Sequence, residues 1–323
     1  MIEPTSEDVL QARGRISQYV HNTPVLRSKT LDHLCKAEVF FKCENFQKTG
    51  SFKIRGATNA ILSLPSTEAA RGVATHSSGN HAAALAFAAQ QKGIKAYVVM
   101  PKNAPPAKKA AVAGYGAEMT FCEPTMEARE KGLEKILQER RAVAIHPYND
   151  PRIIAGQGSA ALELCESVRD LDAVIAPVGG GGLLSGTAIA VAAISPRTKV
   201  FGAEPQNADD AARSFRAGRI MESINPDTIA DGLRTGLGSL TFPIIKRNVA
   251  DILTGTEEAI IEALRLVLER MKILIEPSAA VPLAALLNHR PAIPGEKIGI
   301  IFSGGNIDVV PLINHFGMSG NKG

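Results

Sequence analysis

The sequence predicts an α/β protein built from two doubly wound parallel-sheet units, and three observations predict it. First, from Gly72 onward short β-rich runs alternate with helical ones: GVATHS, KAYVVM, AEMTFC, AVAIHPY, DAVIAPVGGGG, KVFGAE, DILTGT and KIGIIFSGGN. Strands separated by helices pair in parallel through crossover connections. Second, the first four runs form a compact set of domain size, after which the alternation resumes at Ala173. Third, 323 residues with 45% hydrophobic and 21% charged side chains suit a globular chain large enough for two modest domains. The division expected is a small unit, residues 71–149, inserted into a larger discontinuous one, residues 1–70 and 150–323.

The elements follow in order. Glu7–Tyr19 reads as a helix, broken by the X-Pro turn in HNTPVL. EVFFK (Glu38–Lys42) has strand composition, and FKIRGATNAILSL repeats its apolar positions at helical spacing. Further helices are expected over Asn80–Lys92, Ala107–Ala113 and Met126–Arg140, from Leu183, and over Glu257–Met271.

Composition excludes several classes. Lys plus Arg number 36 against 32 Asp plus Glu, a net charge of +4 that gives no case for nucleic acid. No apolar run has membrane-spanning length, and MIEPTSEDVLQ shows no secretory signal. Four scattered cysteines without a CxxC pair fit reduced thiols in a cytoplasmic protein. The histidines show no metal-binding spacing.

The chemistry centres on KCENFQKTGSFKIRGA (Lys42–Ala57). It places Lys53 in the first turn of a helix, where a cation is disfavoured by the positive pole. Phe52 and Ile54 flank it, and burial would lower its pKa until the amine can attack a carbonyl. A surface lysine in a mixed KIR run is the bland alternative.

Gly179, Gly180, Gly181 and Gly182 follow an apolar strand and precede a helix, which suits backbone amides facing a phosphate. A dinucleotide fold is the rival: Gly180-x-Gly182-x-x-Ser185 approximates its fingerprint, and Glu204 stands where a ribose-binding acid would. Ser77, Ser78, Gly79, Asn80 and His81 lie between a strand and a helix, suited to a carboxylate or to an ordinary N-cap. Ser303-Gly304-Gly305-Asn306 follows a strand at the end where α/β proteins bind ligands. Glu204, Asp210 and the Ala208 carbonyl are hard oxygen ligands for Mg²⁺ or Ca²⁺, or the two acids merely begin a helix. Arg129 lies in a charged helix where a solvated cation is the default, though its fork would read a carboxylate bidentately.

The string ENFQKTGSFKIRGA resembles the cofactor-lysine segment of the fold-type II pyridoxal phosphate (PLP) enzymes, the serine/threonine dehydratase and serine racemase family. CEPTMEARE and Asp231-Gly232-Leu233-Arg234-Thr235 are similar to further segments of that family. The resemblance runs along most of the chain and implies the tryptophan synthase β-like fold. It implies that Lys53 carries PLP with Phe52 beside the ring, that the four glycines hold its phosphate, and that Asn80 bonds its phenolic oxygen. Ser303 would bond the pyridine nitrogen, leaving the ring a weaker electron sink that favours β-elimination over transamination. The Ser77–His81 loop would grip the substrate carboxylate, with Ser78 a second acid/base facing Lys53.

Within the family, Arg129 and the Glu204/Ala208/Asp210 trio resemble the serine racemase and 3-hydroxyaspartate dehydratase subgroup, in which the trio binds a divalent ion (Mg²⁺, Ca²⁺ or Mn²⁺). Thr235-Gly236 stands where serine racemases tend to have two serines, a departure from that activity. The expected function is an ammonia-lyase eliminating water from a β-hydroxy amino acid, with 3-hydroxyaspartate the preferred substrate. Serine/threonine dehydratase or serine racemase is the alternative; an NAD-binding oxidoreductase and a catalytically silent sensor are the readings from other classes. With the sequence ending soon after Ser303, the regulatory domain of biosynthetic threonine dehydratases is not expected. A cytoplasmic homodimer is expected.

Overall fold

The computed structural model of the chain describes residues 2–77, 79–310, 312 and 316. Among these residues ten strands form two sheets: β1 (Val25–Leu26), β2 (Glu38–Cys43), β3 (Val73–His76), β4 (Ala96–Pro101), β5 (Glu118–Cys122), β6 (Val143–Ala144), β7 (Ala173–Pro177), β8 (Lys199–Pro205), β9 (Asp251–Gly255) and β10 (Lys297–Phe302). The larger sheet runs β1-β2-β10-β7-β8-β9 and the smaller β5-β4-β3-β6. All pairings are parallel except β1 with β2. No described helix is long and apolar enough to cross a membrane.

Strand order positions the site. β10 pairs with β2 along its whole length, from Lys297 opposite Glu38 to Phe302 opposite Cys43, and the rings of Phe41 and Phe302 stack 4.6 Å apart. β7 flanks β10 on the other side. The loops leaving the C-terminal ends of these three neighbours carry Lys53, the Ser303 turn and the four glycines. That is the edge where parallel sheets collect ligands. The Phe52 N–H donates to the Ser303 carbonyl at 3.0 Å, tying two of the loops together.

The larger sheet is apolar on both faces, as buried parallel sheets are. One face packs Phe41, Ile175 and Phe302 against the Pro277–His289 helix; the other packs Val174, Ala176 and Ile301 with the Pro151–Ser167 and Gly182–Ile194 helices. The Pro151–Ser167 helix sits at backbone contact with two others. A Cβ on Gly156 would lie 2.6 Å from the Gly56 Cα, in the Lys53–Leu62 helix. One on Gly158 would lie 2.7 Å from the Gly186 carbonyl, in the Gly182–Ile194 helix.

Three elements differ from the sequence expectation. The first helix spans Ser6–Ile16, starting at a Thr5/Asp8 capping box, and stops short of Tyr19. AVAIHPY contributes only the two residues of β6, because His146 Nδ1 accepts the Tyr148 and Asn149 N–H groups and curls the chain away. The helix from Glu257 is α-helical to Leu266 and then widens into a π turn, Val267–Met271, ended by left-handed Lys272.

Candidate active site

A cleft of about 480 Å³ opens where the two sheets face each other, lined by Lys53, His76, Arg129, Tyr148, the four glycines and Ser303 among others. Lys53 begins its helix without any side-chain cap. Its Nζ donates to the Pro147 carbonyl at 3.0 Å and lies 5.1 Å from the Phe52 ring centre. Desolvation lowers its pKa to about 8, with Glu276 opposing the shift. A carbonyl orients an ammonium without compensating its charge, so this amine sheds its proton far more readily than an ordinary lysine.

The glycine loop is boxed so tightly that side chains are excluded. A Cβ on Gly180 would fall 2.3 Å from the Tyr148 ring. One on Gly181 would meet Thr241 at 2.8 Å, and Gly181 has φ +88°, a left-handed conformation that glycine adopts freely. One on Gly179 would meet Thr235 Oγ1 at 3.1 Å. The loop opens the Gly182–Ile194 helix and lines the cleft, so its amides and the helix pole could hold a phosphate there. Glu204 does not serve a ribose there. Its carboxylate turns away to accept the Ala211 and Ala212 N–H groups at 3.0 and 2.9 Å.

From the smaller sheet, Ser77 Oγ accepts the Gly79 N–H, and Asn80 starts the Asn80–Lys92 helix. Ser78 lies outside the described residues. The Asn80 amide group donates to both Glu276 oxygens at 3.0 Å while its Oδ1 accepts from Asn306. His81 is buried, with Nε2 3.3 Å from the Ile145 carbonyl and Nδ1 unpartnered. Burial, then Lys53 nearby, holds it neutral well below the usual histidine range. Arg129 faces the cleft with its Nε buried and unpartnered, and forms no ion pair among the described residues. Thr235 lines the same cleft.

Glu276 was not singled out by sequence. It is buried at the edge of the site, its N–H donates to the Gly304 carbonyl, and burial raises its pKa to about 7. Its one sequence signal is an acid inside the apolar string ILIEPSAA. Tyr148 and His146 were missed as well. Their rings lie 4.6 Å apart, edge to face, and burial lowers His146 to about 4.

Away from the cleft, Glu204 and Asp210 are both fully buried. Burial, reinforced by Asp210, lifts Glu204 to about 9; burial also lifts Asp210 to about 6. Both Asp210 oxygens are buried without a hydrogen bond. Orphaned carboxylate oxygens beside a second carboxylate fit a divalent cation. Among the described residues no group of three or more His, Cys, Asp or Glu side chains converges as a metal site, so a third protein ligand would have to come from backbone such as Ala208.

Comparison with known proteins gives a consistent result. Residues 16–304 match the family model described as pyridoxal-phosphate dependent enzyme. The chain is 49% identical over 312 residues to a beta-hydroxyaspartate dehydratase of Paracoccus denitrificans, covering 97% of this chain and 99% of that one. It is 51% identical over 313 residues to a serine racemase of Dictyostelium discoideum, covering 96% and 97%. The solved structure of maize serine racemase superposes with a TM-score of 0.94 at 43% identity, covering 98% of each chain.

Proposed function

Because the chain belongs to the pyridoxal-phosphate dependent enzyme family, in its fold-type II serine racemase and hydroxyaspartate dehydratase branch, we propose that it is an ammonia-lyase acting on 3-hydroxyaspartate. Net loss of ammonia from that substrate, by dehydration and then hydrolysis, leaves oxaloacetate. The observation that carries the substrate is Arg129, a cation lining the cleft whose Nε is unpartnered and which forms no ion pair among the described residues. The name of the Paracoccus relative agrees.

The residues divide the work as follows. Gly179 to Gly182 would hold the cofactor phosphate by their amides, Ser303 would bond the pyridine nitrogen, and Phe52 would lie beside the ring. When bound, the cofactor supplies an electron sink for the carbanion at the substrate α-carbon. Lys53 would anchor the cofactor covalently and serve as the base at the substrate α-proton, with the Pro147 carbonyl orienting its amine. Ser77, Gly79, Asn80 and His81 present the Asn80–Lys92 helix start to the α-carboxylate, and Ser78 is assigned the second acid/base role. Arg129 receives the β-carboxylate, and Thr235 borders the same cleft. Fixing the scissile C–H against Lys53 supplies the proximity contribution to rate.

Mg²⁺, Ca²⁺ or Mn²⁺ is proposed on Glu204, the Ala208 carbonyl and Asp210. The smaller unit is taken as residues 71–149, within a larger one of 1–70 and 150–323, and the enzyme as a cytoplasmic homodimer.

The test compares turnover of 3-hydroxyaspartate stereoisomers with that of L-serine and L-threonine. Losing a charge-assisted carboxylate contact costs about 1.5–3 kcal/mol, so Arg129→Ala should cut kcat/KM for the dicarboxylate roughly 10- to 100-fold more than for serine. Equal losses on both substrates would remove the second carboxylate from the reading.

A further inference from the structure

Two residues beyond Lys53, Arg55 enters a buried quartet of ionisable side chains. Lys42, Glu44 and Arg55 have side chains with 0% exposure and Glu163 has 6%. Arg55 forks twice. Its Nε and Nη2 donate to the two Glu44 oxygens at 2.6 and 2.8 Å, and its Nη1 and Nη2 to the two Glu163 oxygens at 2.8 and 2.7 Å. Nη1 also reaches Ser159 Oγ at 3.2 Å. Lys42 Nζ donates to Glu163 at 2.6 Å and to the Thr23 carbonyl at 2.7 Å, and Thr23 Oγ1 donates to Glu44 at 2.5 Å. Two positive and two negative charges cancel, and none of the four side chains lines the cleft.

A buried ion cluster is weak evidence for stability, since apolar residues of like volume often do as well. What this one fixes is more informative. The Lys53–Leu62 helix starts at Phe52 with no side-chain cap; its first N–H groups are met by backbone instead, Phe52 by the Ser303 carbonyl, Ile54 by Ser51 and Arg55 by Phe52. Partners on the Pro151–Ser167 helix brace that turn from the side: Gln157 Oε1 accepts the Gly56 N–H at 3.2 Å, while Ser159 and Glu163 hold Arg55. The same helix meets the glycine-loop helix at the Gly158–Gly186 contact. The separation of Lys53 from the glycine loop is therefore braced through one intervening helix as well as by the β2-β10-β7 strand order, and Arg55 makes the charged link to that helix on the lysine side.

We propose that Arg55 is a positioning residue for Lys53: its forks to Glu44 and Glu163 anchor the first turn of the helix and hold the amine at a fixed reach from the glycine loop. This rests on the reading of Lys53 as the catalytic amine.

The decisive comparison is Arg55→Lys against Lys42→Met in the cofactor-loaded enzyme. Arg55→Lys keeps the charge and loses both forks; Lys42→Met perturbs the same quartet at its far end and leaves the forks in place. Arg55→Lys should lower kcat roughly 10- to 100-fold with KM within about threefold, the range expected from a misplacement near 1 Å. It should also weaken the visible circular dichroism of the cofactor band and change the rate at which Lys53 is labelled in the apoprotein. Lys42→Met should lower Tm while kcat, the visible band and Lys53 labelling stay at wild-type values. Should Arg55→Lys fail to fold, Glu44→Gln, nearly isosteric and weakening one fork, carries the same test, with a smaller loss in the same direction. If kcat in both quartet variants merely follows Tm, and neither the band nor the labelling moves, Arg55 is structural only and the proposal fails. Lys53→Ala separates that outcome from failure of the parent reading: retained turnover there would overturn the role of Lys53 itself.

Discussion

Lys42, fully buried, and Lys53, half-buried in the cleft wall, stand at opposite ends of one short connection, and their surroundings differ in kind. Lys42 has the Glu163 carboxylate at 2.6 Å and a carbonyl at 2.7 Å. Burial lowers its pKa, and Glu163 and Glu44 resist. Lys53 has one carbonyl and a more distant acid, and desolvation brings it to about 8. A lysine with a carboxylate in its first shell of contacts is a structural cation. One given only a dipole is poised to lose its proton. The chain uses the same side chain for both purposes by supplying or withholding a counter-charge.

The largest effect that sharpens this contrast is at the amine itself. Lys53→Ala should abolish the covalent cofactor band and lower kcat by about 10²–10⁴-fold or more, the range for a lost general base. A variant retaining both would break the comparison. Next, Glu163→Ala strips Lys42 and Arg55 of a shared counter-ion. Breaking a buried pair in this way costs about 3–5 kcal/mol, read from denaturant midpoints at constant m. The exposed Arg13–Glu166 pair, at 2.6 Å, should yield less than about 1 kcal/mol to the same substitution. In the glycine loop, Gly180→Ala forces a Cβ onto the Tyr148 ring and should cost about 1–3 kcal/mol, with a matching loss of cofactor affinity.

Smaller and pH-dependent is the acid pair Glu204/Asp210. Their folded pKa values, about 9 and about 6, lie above the unfolded ones. Without a cation, the stability they contribute is present below the unfolded values and is lost as pH rises through about 6 and then about 9. Cation binding favours the ionised forms. Mg²⁺ or Ca²⁺ should therefore raise Tm more at pH 8.5 than at pH 5.5, and a shift independent of pH would place the ion elsewhere.

Much of this was legible in the sequence because parallel α/β folds put their chemistry directly after strands. Lys53, the four glycines and Ser303 each follow a β-rich run, so the alternation that predicts the fold also points to the loops that meet. Helices with a polar start and a uniform pattern, such as Asn80–Lys92 and Met126–Arg140, have the expected bounds. What escaped depends on contacts between distant positions. Arg55 reads as one cation in KIR, and its carboxylate Glu163 is 108 residues away. Glu276 meets Asn80 across 196 residues. The curl after β6 is set by an imidazole accepting two backbone N–H groups, which no local propensity encodes.

The most direct measurement is to reduce the cofactor-loaded protein with borohydride, digest it and locate the cofactor mass by peptide sequencing. A single adduct on Lys53, with Lys42 unmodified, is the predicted result. An adduct on any other lysine, or a cofactor that dialyses away after reduction, would contradict it.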